Sequence, residues 1–267
     1  VTNREIKRRI VSVEETVKIT KAMYSISVAK MMAAKSQLPA ASEYRDTCAR
    51  IMRMVGASFK DSSYFTRKGD RIGFVVIAAD KGLCGDYNSR VFAKAKEELD
   101  STQEKYLFTV GNFARDMFTK AGYVVDVEYL HTMTTFSAAK AIAEDLMYLY
   151  ENDMLDEVRV IYTDFVNDLV AVERLLPIDD SSSNVVELEP ATLATLTKCV
   201  QDHLSATLRY ILVASSLSEH TARAKIMSQS TDNAEKMIAD LSVKYNRARQ
   251  ESITRALQDG NTMERNV

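Results

Sequence analysis

From Ala191 to Asp259 the chain contains neither glycine nor proline. Such a stretch can run as one continuous helix, and Pro190 stands just ahead of it, where a missing amide hydrogen costs nothing. At 1.5 Å per residue it would reach ~100 Å. No small domain can cover a helix that long, so it requires a second long helix or a surrounding partner. Leu193, Leu196, Val200, Leu204, Leu208 and Ile211 form one apolar stripe along it; Ala234, Met237 and Leu241 form another.

The N-terminal region offers the second helix. Ile6, Ile10, Val13 and Val17 recur at helical spacing among charged neighbours. A helix is predicted to about Gly56, interrupted or kinked at Pro39, which has no amide hydrogen to donate. From Met52 to Phe59 the pattern drifts into a loop. Read in opposite directions, the two stripes step alike, which predicts antiparallel layers: Ile6 with Leu241, Ile10 with Met237, Val13 with Ala234, Val17 with Ser230, and Tyr24 with Arg223. Residues beyond about Lys244 would then form a lone polar tip. A lone polar helix frays in water, so a surrounding partner is expected there.

Between the helices the pattern changes. Ile72–Ala79 is a continuous apolar run, as in a strand covered on both faces. Helices are expected at Ser89–Leu99, Asn112–Ala121 and Phe136–Tyr150, and strands at Tyr106–Val110 and Tyr123–Leu130. Val158–Val166 and Leu169–Leu176 read as a hairpin around Asn167-Asp168. The fold class is therefore α/β and mainly helical: a long antiparallel coiled coil of the terminal helices with a small central α/β sheet, mostly parallel with an antiparallel edge. The expected divisions are 1–58, an N-terminal coiled-coil helix; 71–184, the α/β domain; and 190–260, the long C-terminal helix with its tip.

Charge and motifs narrow the function. Charged residues make up 27% of the chain with a formal net charge of -2, which argues against general nucleic-acid binding. Cys48, Cys84 and Cys199 lack the spacing of a metal site, as do His131, His203 and His220. No stretch approaches the ~20 apolar residues of a membrane span, and there is no secretory apolar segment. Glu97-Glu98 and Asp179-Asp180 read as solvated charge, and the methionines as packing residues. Asp80-Lys81-Gly82-Leu83-Cys84-Gly85 follows a buried strand, where α/β sheets often hold phosphates. Yet neither GxxxxGK[ST] nor GxGxxG is present, so a tight strand-to-helix turn is expected. The first helix is locally basic: Arg4, Lys7, Arg8, Arg9, Lys18, Lys21, Lys30 and Lys35 outnumber Glu5, Glu14 and Glu15. Composition alone leaves a solvated face and an acidic protein partner both open, with a membrane surface a minor alternative because no large apolar face is expected to be free to insert.

Four segments resemble one family. Ile6-Lys-Arg-Arg-Ile10 with Thr16-Val-Lys-Ile-Thr-Lys-Ala-Met23, then Asp80–Gly85, then Ser218-Glu-His-Thr-Ala-Arg223, and last Tyr245-Asn-Arg-Ala-Arg-Gln-Glu-Ser-Ile-Thr254 are similar, in this order, to the motifs of the γ subunits of F-type ATP synthases. The resemblance implies a Rossmann-like α/β domain between the paired helices, and a non-catalytic rotor shaft, without cofactor or metal, whose catalytic sites belong to the β subunits. It implies a ring of three α and three β subunits around the shaft, and an ε-type subunit (δ-type also in mitochondria) with the membrane c-ring at its foot. Lys18, Lys21, Met23 and Arg223 would face the acidic lever segment of β. Arg249, Gln250 and Thr254 would meet a loop higher in that ring, and Glu189 would approach the c-ring. The location implied is peripheral on an energy-coupling membrane, on the bacterial cytoplasmic face or the mitochondrial matrix face. The sequence departs from the family pattern at Ala256, where an acidic residue is usual, and it has no paired-cysteine insert of the chloroplast type. The competing readings are a nucleotide-binding α/β enzyme with helical oligomerisation arms and a coiled-coil adaptor.

Overall fold

The computed structural model describes residues 2–129, 134–179 and 192–264, with side chains through Thr254. Two compact units account for them: residues 29–222, which contain the sheet, and residues 1–28 with 223–267, a pair of helices. The helices α1 (Asn3–Gly56) and α6 (Leu193–Glu264) each contribute to both units, and the short α2 (Ser63–Thr66) lies between α1 and the first strand in sequence.

In the sheet unit, β1 (Arg71–Ile77) lies at the centre of the order β3-β2-β1-β4-β5. It pairs in parallel with β2 (Glu104–Val110) and β4 (Glu157–Thr163), β2 pairs in parallel with β3 (Val127–Tyr129), and β5 (Val170–Leu176) returns antiparallel to β4. Both faces of β1 are covered, which is why its apolar run does not alternate. On one face, Phe74, Val76 and Ala78 pack against Val91, Ala95 and Leu99 of α3 (Tyr87–Asp100) and Ala114 and Phe118 of α4 (Asn112–Lys120). On the other, Val75 and Ile77 join α5 (Phe136–Glu151), the end of α1 and the α6 residues Leu196, Val200, Leu204, Leu208 and Ile211. Thr135 caps α5, its hydroxyl accepting from the Ala138 amide at 3.3 Å.

Several boundaries differ from the sequence reading. Pro39 does not break α1: it is exposed, so the Lys35 carbonyl it leaves without a helical donor can turn to water. Met52 is buried helix rather than loop because it completes the core under β5 and α6. Leu193 heads α6 but is 66% exposed, outside the stripe it seemed to begin. Residues 123–126 do not join β3. Gly122 takes a positive φ of 86°, the Tyr123 ring meets Phe118 edge-on at 5.6 Å, and Asp126 holds the Leu107 amide at 2.7 Å. The β4–β5 connection is a loop across 164–169 rather than a two-residue turn, closed by the Asp164 amide donating to the Leu169 carbonyl at 2.9 Å.

The helix-pair unit is antiparallel as expected, but its register is not the expected one. Thr20 and Thr231 share a hydrogen bond of 2.7 Å, and both are buried. Ala224, Met227, Thr231, Ala234 and Leu241 are buried and Ile238 is half-buried, whereas Met237 is 44% exposed. These positions step by three and four residues, as do Ile10, Val13, Val17 and Thr20 on α1. With the two threonines level, Val17 aligns with Ala234, Val13 with Ile238 and Ile10 with Leu241. Met237 and Ile238 are both apolar and stand side by side, so sequence spacing admits either in the seam, and burial selects Ile238. Asn3 then lies level with Ala248, so the unpaired end begins near Arg249 rather than Lys244.

Candidate partner-contact surface

The turn motif is built from its own side chains. Asp80 Oδ1 accepts from the Asn112 amide at 3.2 Å, serving the first turn of α4, whose N-cap Gly111 has no side chain to offer. Gly111 itself takes φ 100°, and a Cβ there would stand 2.3 Å from the Ala78 carbonyl oxygen. Asn88 holds the loop from the other side: its Oδ1 accepts from the Ala79 amide at 3.0 Å, and its Nδ2 donates to Cys84 Sγ at 3.3 Å. Leu83 adopts φ 63°, a conformation costing an L-residue ~1–2 kcal/mol.

The crevice at the ends of β1 and β4 is where a doubly wound sheet would take a ligand. Here it is occupied by protein. Tyr87 and Thr163 are fully buried, Tyr87 donates its hydroxyl to the Ser215 carbonyl of α6 at 3.2 Å, and Ala222 packs on Cys84 and Tyr87. Burial pushes the Tyr87 hydroxyl up, with the Glu219 carboxylate adding to the effect. Asp80–Gly85 therefore forms a joint between sheet and helix rather than a cradle.

In the helix-pair unit, Lys18 is exposed with its Nζ 3.0 Å from Glu15, and Lys21 reaches Glu235 on α6 at 2.7 Å. Both pairs are largely in solvent, where such bridges contribute little. Met23 is half-buried. These three lie within two turns of α1. Arg223 differs from them: it is only 6% exposed and is engaged within the protein. The expected pairing of Tyr24 with Arg223 also fails, since the observed register sets Ser27 level with Ala224. Arg249, Gln250 and Thr254 are exposed, and the Thr254 hydroxyl donates back to the Gln250 carbonyl at 3.0 Å. Glu189 lies outside the described residues.

One feature escaped the sequence reading. Val11, Ile19 and Ile26 are 49%, 59% and 58% exposed, with Ala22 exposed among them. Their spacing places them on the face of α1 turned away from the seam. An i, i+8, i+15 search would have found this second stripe, which the stronger seam pattern masked.

The chain matches the ATP synthase family model over residues 2–259. It is 32% identical over 277 residues to the ATP synthase gamma chain of Heliobacterium modesticaldum, spanning 96% of each chain. The chain belongs to the ATP synthase gamma-chain family. Its gamma-chain relative from Symbiobacterium thermophilum is 34% identical, over 95% of this chain and 94% of that one. Among solved structures, a chain of the Euglena gracilis mitochondrial ATP synthase (OSCP/F1/c-ring, rotational state 3) shares the fold with a TM-score of 0.75 at 16% identity, covering 98% of this chain and 93% of that one. In this family the gamma chain is the central shaft, the role that the four motifs implied. Among the described residues no helix is long and apolar enough to cross a membrane.

Proposed function

We propose that this chain couples rotation of a membrane c-ring to conformational cycling of the catalytic β subunits of a proton-transporting ATP synthase. The observation that carries this reading is the unpaired end of α6, where Arg249, Gln250, Ile253 and Thr254 are all exposed on a helix running past the start of α1. A lone helix end gains stability only from a surrounding partner. The ring is three α and three β subunits; the ε-type subunit (with a δ-type one where mitochondrial) and the c-ring meet the foot, near Glu189. The division into 1–58, 71–184 and 190–260 belongs to the same proposal, with the protein peripheral on the cytoplasmic or matrix face of the membrane.

The mechanism is population shift. A pair of unlike helices has no threefold symmetry, so three β subunits around it meet three different faces. Each face favours a different β conformation by its differential contacts. Lys18 and Lys21 on one side of the Ile19 and Ile26 stripe, and Met23 on the other, offer basic and apolar groups to an acidic amphipathic segment. Arg249 offers a planar fork to a carboxylate, and Gln250 both a donor and an acceptor.

The test is Arg249→Ala with Gln250→Ala in the reconstituted complex, with assembly checked before ATP synthesis and hydrolysis are measured. Impaired assembly or turnover is expected, because charge-assisted hydrogen bonds shielded from water contribute ~1.5–3 kcal/mol each. Full coupled activity would remove both residues from the contact surface. ATP hydrolysis by the pure chain, lost on changing Lys81, would overturn the non-catalytic reading altogether.

A further inference from the structure

We infer that the Thr20–Thr231 hydrogen bond is the register pin of the paired helices, selecting one alignment among several that their apolar residues accept. Sliding α6 by one heptad in one direction would set Val17 level with Leu241 and Val13 level with Tyr245. Sliding it in the other would set Val17 level with Met227 and Ile10 level with Ala234. Each shifted alignment still buries apolar residues against one another, so hydrophobic matching discriminates weakly. The polar layer does discriminate. In the observed alignment the two hydroxyls meet at 2.7 Å inside the seam. A heptad shift sets Thr20 level with Ile238 or Ala224, and neither side chain can bond it.

The proton arrangement follows from the distances. Thr231 Oγ1 lies 2.9 Å from the Met227 carbonyl, and Thr20 Oγ1 lies 3.2 Å from the Val17 carbonyl. Two hydroxyl hydrogens serve these three contacts. The shorter pair is satisfied when Thr231 donates to Met227 and accepts from Thr20. Thr20 thus gives up the weaker bond within its own helix for the one between helices. When separated, each hydroxyl can fall back on its own carbonyl, so the pin selects an alignment without leaving a buried orphan in the unpaired helices. A single polar layer that fixes register is the best-attested use of buried polarity in coiled coils. The nearby Lys21–Glu235 bridge cannot do this, because both side chains are at least half exposed and flexible.

The experiment uses the full chain with cysteine at position 13 and a second cysteine at 238 or 245. Peptide mapping after mild oxidation identifies which cysteines have joined. With both threonines present, 13–238 should form at least ten times faster than 13–245. In the Thr20→Val, Thr231→Val protein that ratio should fall at least threefold, whereas Thr20→Ser, which keeps the hydroxyl, should hold it. Helix content by circular dichroism confirms that the helices persist, and if the double valine chain does not fold, Thr20→Val alone carries the test. An unchanged 13–238 preference in a folded chain lacking the hydroxyl bond would overturn the inference and assign the register to apolar packing or to the rest of the chain.

Discussion

In the sheet unit, Phe74, Val75, Val76 and Ile77 are consecutive and completely buried. In the helix pair, apart from the adjacent Arg223 and Ala224, the buried residues stand a turn or more apart, and most are small: Ser27, Ala224, Thr231 and Ala234. The first arrangement takes every side chain of a strand out of water. The second removes one residue in three or four and keeps the rest available for contact. A fully buried large apolar side chain contributes ~1.5–3 kcal/mol, and an alanine in a seam far less. The difference teaches where stability and function reside. The sheet is held by its own core, whereas the helix pair keeps most of its surface for something outside the chain.

The largest expected effect breaks the comparison at its strong end. Phe108, buried on β2, joins the core shared with α5 and α6. Phe108→Ala should cost ~3–5 kcal/mol through lost transfer energy and the cavity left behind. Urea denaturation followed by tyrosine fluorescence measures it, and a loss below ~1 kcal/mol would show that the sheet core is loosely packed.

A pH titration gives the next effect. Burial first, then the charges of Arg53 and Arg45, bring His203 down to about 4. The unfolded chain takes up this proton near pH ~6.5, before the folded one does, so stability is retained above that pH and declines as pH falls toward 4. The decline should reach ~3 kcal/mol across that window. His203→Gln should flatten it; an equally steep fall in that variant would assign the effect to other groups.

The helix pair should respond less. Leu241 is its largest buried aliphatic on α6, but it borders solvent, so Leu241→Ala should cost ~2 kcal/mol, at the low end for such a change. The loss should appear as faster amide exchange in residues 224–245 rather than in the strands. Equal loss of protection in β1 would mean that the two units unfold together.

The smallest effect sharpens the contrast. Arg249→Ala with Gln250→Ala should leave the isolated chain within ~0.5 kcal/mol of the original, since both are exposed and alanine favours helix. A marked drop in thermal midpoint would show that the unpaired end is held by the chain itself.

Periodicity determined much of this protein before any coordinates. A glycine- and proline-free stretch had to be a long helix, an apolar run had to be a covered strand, and strand–helix alternation had to give a largely parallel sheet. The four motifs identified the family because they are local strings of residues. What the tertiary structure decided depends on which of two adjacent candidates is covered. Met237 and Ile238 are both apolar, and only burial puts Ile238 in the seam and Met237 outside it. Arg223 lies in a motif that is legible in the sequence, yet its burial comes from the packing around it. Pro39 carries a helix-breaking signal that fails because its surroundings are solvent. The Asp80–Gly85 turn becomes a joint because α6, more than a hundred residues later in the chain, places the Ser215 carbonyl over Tyr87. Local sequence sets dihedral preference and face; which face meets which partner is a long-range choice, made by the whole fold at once.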